Sequence, residues 1–107
     1  MIRYAFVVKL QKNKVSIYEQ LHKHPWKKVL DTLKKYNIRN YSIFIKNNLL
    51  FSYYEYHGNN HEKDLKLIAS DHITQEWWKL TNPCQKPISS EYKTSLWAPM
   101  QEIFHLD

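Results

Sequence analysis

The sequence predicts an α+β fold of the ferredoxin-like split-βαβ type. Its order is strand, helix, strand, strand, helix, strand (βαββαβ), with an antiparallel sheet and both helices on one face. Three observations predict it. Polarity alternates over the first ten residues, apolar residues recur every three or four positions between Val15 and Tyr36, and two runs rich in β-branched and aromatic residues meet at Asn47-Asn48. A chain of 107 residues forms one domain, 1–107, by size.

The first strand places Tyr4, Phe6, Val8 and Leu10 on one face and Arg3, Ala5, Val7 and Lys9 on the other, the period of two of a half-buried strand. Gln11–Lys14 turns the chain into a helix whose inner stripe reads Val15, Tyr18, His22, Trp26, Val29, Leu33, Tyr36. Pro25 disfavours helical geometry at His24, so a kink or break is expected there, with Pro25 opening a second segment. Arg39–Lys46 and Leu49–Tyr56 form a hairpin closed by Asn47-Asn48. A second helical region covers about His61–Ala69 and restarts after Ser70-Asp71, an N-cap, to carry Ile73, Trp77, Trp78 and Leu80. Thr81–Pro99 is irregular, with Pro83, Pro87 and Pro99, and the alternation Met100, Glu102, Phe104, Leu106 predicts a last strand over Met100–Leu106. The sheet face bearing Ala5, Val7 and several tyrosines needs a cover, and a second copy packing sheet to sheet, a homodimer, is the expectation.

Composition narrows the function classes. Gly58 is the single glycine, so no phosphate-cradling loop can form and ATP- or NAD-dependent chemistry is not expected. Cys84 is the single cysteine, which excludes an internal disulfide and a cysteine-based zinc site and reads as a half-buried thiol. No apolar run reaches the roughly 18 residues of a membrane span. Met1–Leu10 reads as a strand and not as a signal peptide, so a cytoplasmic location and no membrane partner are expected. The net charge of +6 is spread mainly over the outer helix face and strand ends, without a helix-turn-helix, zinc-finger or RNA-binding motif, and no nucleic-acid partner is expected. His57 and His61 stand four apart but flank Gly58-Asn59-Asn60, a loop, and are not read as a metal site. Ser89-Ser90-Glu91 has a hydroxyl beside a carboxylate but no paired histidine, so it is not read as a hydrolase triad.

The candidate chemistry centres on His22. The helical period points its ring inward with Tyr18 one turn before it, while His24 points out among lysines. Tyr41 on the second strand is placed to face the same space, and Trp77-Trp78 aim two indoles in different directions. Aromatic walls with a few convergent polar groups describe a sugar-sized pocket, in which apolar sugar faces lie on the rings. A satisfied core histidine is the structural alternative for His22.

Met1-Ile2-Arg3, Ala5-Phe6-Val7, the spacing Tyr18…His22…Trp26, Asn40-Tyr41-Ser42-Ile43, Trp77-Trp78-Lys79 and Gln101-Glu102-Ile103-Phe104-His105-Leu106-Asp107 occur in one order. Together they resemble the L-rhamnose mutarotase family over essentially the whole chain. The resemblance implies a homodimer of the dimeric α/β barrel type and interconversion of the α and β anomers of L-rhamnose, a monosaccharide. It implies His22 as catalytic proton donor and Tyr18, Tyr41, Trp77 and Trp78 as sugar contacts. Only proton transfers are needed, so no cofactor and no metal are expected. Imidazole, with an ordinary pKa near 6.5, suits that work near neutral pH. Where the family has Asn-Pro-x-Trp-Pro-Glu after the histidine, this chain has Lys23-His24-Pro25-Trp26-Lys27-Lys28, and the methionine-containing stretch after the tryptophan pair is absent. Both departures border the pocket and bear on sugar preference, with L-fucose or another 6-deoxy sugar as the alternative substrate. Two further readings are a haem- or quinone-type monooxygenase of the same fold and a non-catalytic sugar-binding dimer. Replacing Trp77 or Trp78 by alanine is expected to weaken sugar binding more than folding.

Overall fold

β1 (Ile2–Leu10) holds the middle of the sheet because both of its edges are paired. In this computed structural model, which describes residues 1–89 and 96–107, α1 (Val15–Lys23) and α2 (Lys27–Lys35) follow β1. Next come β2 (Ile38–Lys46), β3 (Leu49–Tyr56), α3 (His61–Ser70) and α4 (His72–Thr81), then the short strands β4 (Gln85–Lys86) and β5 (Ala98–Met100). The sheet order is β2-β3-β1-β4, with β5 also on β1, and all pairings are antiparallel. This is the α+β arrangement read from the sequence, with one change.

The change lies on the second edge of β1, where two short strands take the place of one. β4 pairs with Lys9 and Leu10, and β5 pairs with Ala5, Phe6 and Val7. The expected strand over Met100–Leu106 is therefore corrected: the ladder ends at Met100, and residues 101–107 carry no strand pairing. Beyond Met100 the Arg3–Glu102 ion pair, at 2.7 Å, prolongs the register. Ile103, Phe104 and Leu106 are 90 %, 78 % and 79 % exposed. Alternation marks a strand only where a ladder and a covering layer meet it, and here the partner ends at Ile2.

The even-numbered face of β1 and β3 is the buried one. Val8, Leu10 and Leu50 pack with Tyr18 and Cys84, while Tyr54 and Tyr56 pack with Ile38 and Ile68. On the opposite face Val7 and Phe44 both stand across from Phe51, and Phe44 is 63 % exposed.

Backbone geometry is set by asparagines, because the chain has a single glycine. Asn47 and Asn48 both take positive φ (51° and 60°), the left-handed pair of a two-residue hairpin turn that Asn tolerates better than most residues. Asn37 (φ 73°) ends α2, and Asn40 (φ 49°) sits in the irregularity between Arg39 and Ser42. That bulge turns Tyr41 toward the helix side of the sheet, where its ring lies 5.4 Å from Tyr54. The helix breaks around Pro25, but α2 begins two residues later, with Trp26 extended at its N-cap (φ −72°, ψ 127°). Asp71 caps α4 as expected, accepting from the Thr74 amide at 2.8 Å. Gly58 serves close approach: a Cβ there would lie 2.3 Å from the Tyr56 hydroxyl. That hydroxyl cannot retreat, since it donates to Asp64 and accepts from the Asn60 amide. Among the described residues, no helix is long and apolar enough to cross a membrane.

Candidate active site

His22 is the centre of an aromatic group drawn from α1, α4 and the α1–α2 break. As an i, i+4 pair on α1, the Tyr18 and His22 rings stack with centroids 4.2 Å apart. Trp77 from α4 meets the His22 ring edge-on at 5.5 Å and Trp26 at 5.3 Å. Nδ1 of His22 lies 2.9 Å from the Tyr18 carbonyl oxygen. A carbonyl oxygen only accepts, so Nδ1 carries a proton and donates it there. Nε2 is then the nitrogen left to exchange a proton with a substrate. The ring is half-buried, while His24 is exposed, as the helical period predicts.

Tyr18 is 4 % exposed, and its hydroxyl accepts from Gln85 Nε2 at 3.2 Å. Burial raises its pKa well above that of an ordinary phenol. Tyr41 as a residue is 42 % exposed, yet burial around its hydroxyl pushes its pKa up to about 12. The Tyr41 hydroxyl contributes to the upward shifts of both Tyr18 and Tyr54. Both phenols therefore stay protonated near neutral pH. They can donate and accept hydrogen bonds but cannot act as phenolate bases.

The five candidates fall into two adjoining groups. Tyr18, His22 and Trp77 are in direct ring contact, directly or through one another. Tyr41 packs on Tyr54, and Trp78 packs against the neighbouring cluster of Ile38, Tyr54, Tyr56 and Ile68. The two indoles do point in different directions. Trp77 is 7 % exposed, whereas Trp78 also borders an open groove with Gln75, Lys79, Asn82 and Pro83. The two groups share the inner face of β1, where Val8 and Leu10 serve one, and Tyr4 and Phe6 the other.

Sequence reasoning missed Gln85 as a partner of Tyr18, and it set Trp26 beside His22 on the inner stripe without giving it a contact to Trp77. Gln85 lies in the stretch read as irregular, where two residues of strand leave no periodic signal, but Trp26 was visible in the stripe. His57 and His61 part company: His57 sits 3.8 Å from Glu55, while His61 stacks on Tyr4 at 3.8 Å and meets the Tyr54 hydroxyl at 2.6 Å. Burial lowers the His61 pKa. Cys84 is fully buried rather than half-buried, and burial raises its pKa, which disfavours the reactive thiolate. Ser90 and Glu91 lie outside the described residues.

Comparison with known proteins adds an independent line. A family model described as L-rhamnose mutarotase matches residues 3–106. The L-rhamnose mutarotase of Oceanobacillus iheyensis is 35% identical over 109 residues, covering 100% of both chains. That of Lactiplantibacillus plantarum is 33% identical over 107 residues, again covering 100% of both. A crystal structure of an L-rhamnose mutarotase from Formosa agariphila superposes with a TM-score of 0.79 at 25% identity, covering 100% of both chains. Tetracenomycin F2 cyclase of Streptomyces glaucescens, a type-II polyketide cyclase, shares the fold at 12% identity and a TM-score of 0.69.

Proposed function

The chain belongs to the L-rhamnose mutarotase family, and on that premise we propose that it interconverts the α and β anomers of L-rhamnose with His22 as the proton donor. The observation that carries the assignment of His22 is the bond from its Nδ1 to the Tyr18 carbonyl, which fixes the ring and leaves Nε2 for chemistry.

The reaction needs a proton delivered to the ring oxygen and another removed from the anomeric hydroxyl. The pyranose opens to the aldehyde, the C1–C2 bond rotates, and closure on the other face reverses both transfers. His22, as the imidazolium with its Nδ1–H held by the Tyr18 carbonyl, gives its Nε2 proton to the ring oxygen, and a water molecule takes the proton from the anomeric hydroxyl. Tyr18 and Tyr41, both held protonated by burial, orient sugar hydroxyls and do not take up the second proton as phenolates. Trp77 and Trp78 provide aromatic surface for the apolar face of the 6-deoxy sugar. General acid–base assistance is worth on the order of 10²–10⁴-fold, a fitting scale for a reaction that also runs unaided.

The test is NMR saturation transfer between the L-rhamnose anomers near neutral pH, with L-fucose in parallel. Exchange accelerated for L-rhamnose supports the reading. A folded protein that accelerates neither sugar overturns it, and acceleration of L-fucose alone reassigns the substrate.

A homodimer that packs sheet to sheet fits the same chain. The outer sheet face carries Val7, Phe51 and the exposed Phe44, and the segment after β5 adds exposed Ile103, Phe104 and Leu106. Exposed apolar surface of this kind marks an interaction site. Sedimentation equilibrium is expected to return the mass of two chains, and a monomer at assay concentration would sink the proposal.

A further inference from the structure

Gln85 has one buried atom too many. The residue is 6 % exposed, and its Nε2 donates to the Tyr18 hydroxyl at 3.2 Å. Its Oε1 is buried and has no hydrogen-bond partner among the described residues. Buried side-chain polar atoms are nearly always paired, because leaving one unpaired forfeits its bond to water with nothing in return. Oε1 is the one such side-chain atom identified among the described residues, and it belongs to the residue that touches a proposed sugar-contacting tyrosine.

The bond that Gln85 does make has a direction. An amide N–H only donates, so the Tyr18 oxygen accepts, and the phenolic proton of Tyr18 is left to point elsewhere. Tyr18 is thereby a donor toward its surroundings while Gln85 Oε1 is an acceptor beside it. A sugar hydroxyl is donor and acceptor at once, and can take the proton of one and give its own to the other. β4 supplies the rigidity: Gln85 is paired with Leu10 on β1, so its backbone is fixed against the central strand.

We propose that Gln85 is a sugar-contacting residue, whose Oε1 accepts a hydrogen bond from one hydroxyl of the monosaccharide while its Nε2 holds Tyr18 as a donor to that same hydroxyl. This rests on the assignment of the site to L-rhamnose. It adds a specificity determinant for one hydroxyl of the ring, carried by a two-residue strand and not by the helix that bears His22. A site that pairs both sides of a hydroxyl discriminates against the analogue lacking it, because both protein groups are then left unpaired.

The test compares binding of L-rhamnose and its monodeoxy derivatives to the wild-type protein, to Gln85→Leu, and to Gln85→Met, a flexible variant of similar volume in case the first does not fold. Wild type is expected to bind one monodeoxy sugar distinctly more weakly than L-rhamnose. In the variant L-rhamnose itself is expected to bind about 3–10-fold more weakly, the value of one hydrogen bond. The variant should then no longer distinguish L-rhamnose from that one derivative, while its melting temperature stays within a few degrees of wild type. An unchanged dissociation constant, or an equal loss for every derivative, overturns the role of Gln85 and leaves the mutarotase assignment standing. Failure of the wild-type protein both to bind L-rhamnose and to speed its anomer exchange overturns the assignment itself.

Discussion

His22→Ala lowers the enzymatic exchange of L-rhamnose anomers by roughly 10²–10⁴-fold, the range that general acid catalysis supplies, while the protein keeps its fold. The second half of that expectation follows from the surroundings of the ring. His22 is half-buried, and its side-chain bond goes to a carbonyl of its own helix, so removing it leaves no partner side chain stranded. Alanine is also the best helix former, which favours α1 at that position. The measurement is saturation transfer on wild type and variant at matched concentration, with circular dichroism to verify the helix content. A variant as active as wild type would take His22 out of the mechanism and return it to the structural reading of a satisfied core histidine.

Trp77→Ala acts on a different quantity. Trp77 is 7 % exposed, and its indole closes on both His22 and Trp26. Removing a buried tryptophan costs about 3–5 kcal/mol through lost transfer energy and the cavity left behind. A domain of this size commonly has about 5–15 kcal/mol in all. The melting temperature is therefore expected to fall by more than about 10 °C, with exchange activity failing as the support behind His22 goes. For Trp77 this reverses the ordering expected from the sequence, in which binding suffered before folding. For the less enclosed Trp78 the original ordering stands. Thermal unfolding followed by near-ultraviolet circular dichroism checks it, and a melting point within a few degrees of wild type would leave Trp77 as a pocket wall alone, without the structural share.

Much of the fold was legible because its long elements carry a full period of pattern. β1, both segments of the first helix, the Asn47-Asn48 hairpin and the Asp71 cap each show a signal of the length their geometry demands. β4 and β5, at two and three residues, are shorter than any such pattern, and the exposed alternation beyond Met100 imitated a strand in their place. Tyr41 illustrates a subtler limit. Ile38 and Tyr41 stand three positions apart, so strict alternation cannot turn both inward, and the bulge at Asn40 allows it. Within the candidate site, the Tyr18–His22 stack was readable from helical spacing, and its contact with Trp77 was not, since it joins distant helices. Gln85 depended on the unread β4, which is why the residue with the unpaired oxygen escaped notice.

The central place of β1 has a consequence for the growing chain. Its neighbour on one edge begins at Leu49, and on the other edge β4 begins at Gln85 and β5 at Ala98. At ribosomal speeds of about 5–20 residues per second, β1 waits on the order of 2–10 s for its first companion strand, and roughly twice as long for the second. Of the strands described, the first in the chain is thus the last to have both edges paired. Until β3 arrives, Tyr4, Phe6 and Val8 have no sheet to lie in, and until β4 and β5 follow, one edge of β1 stays open to wrong partners.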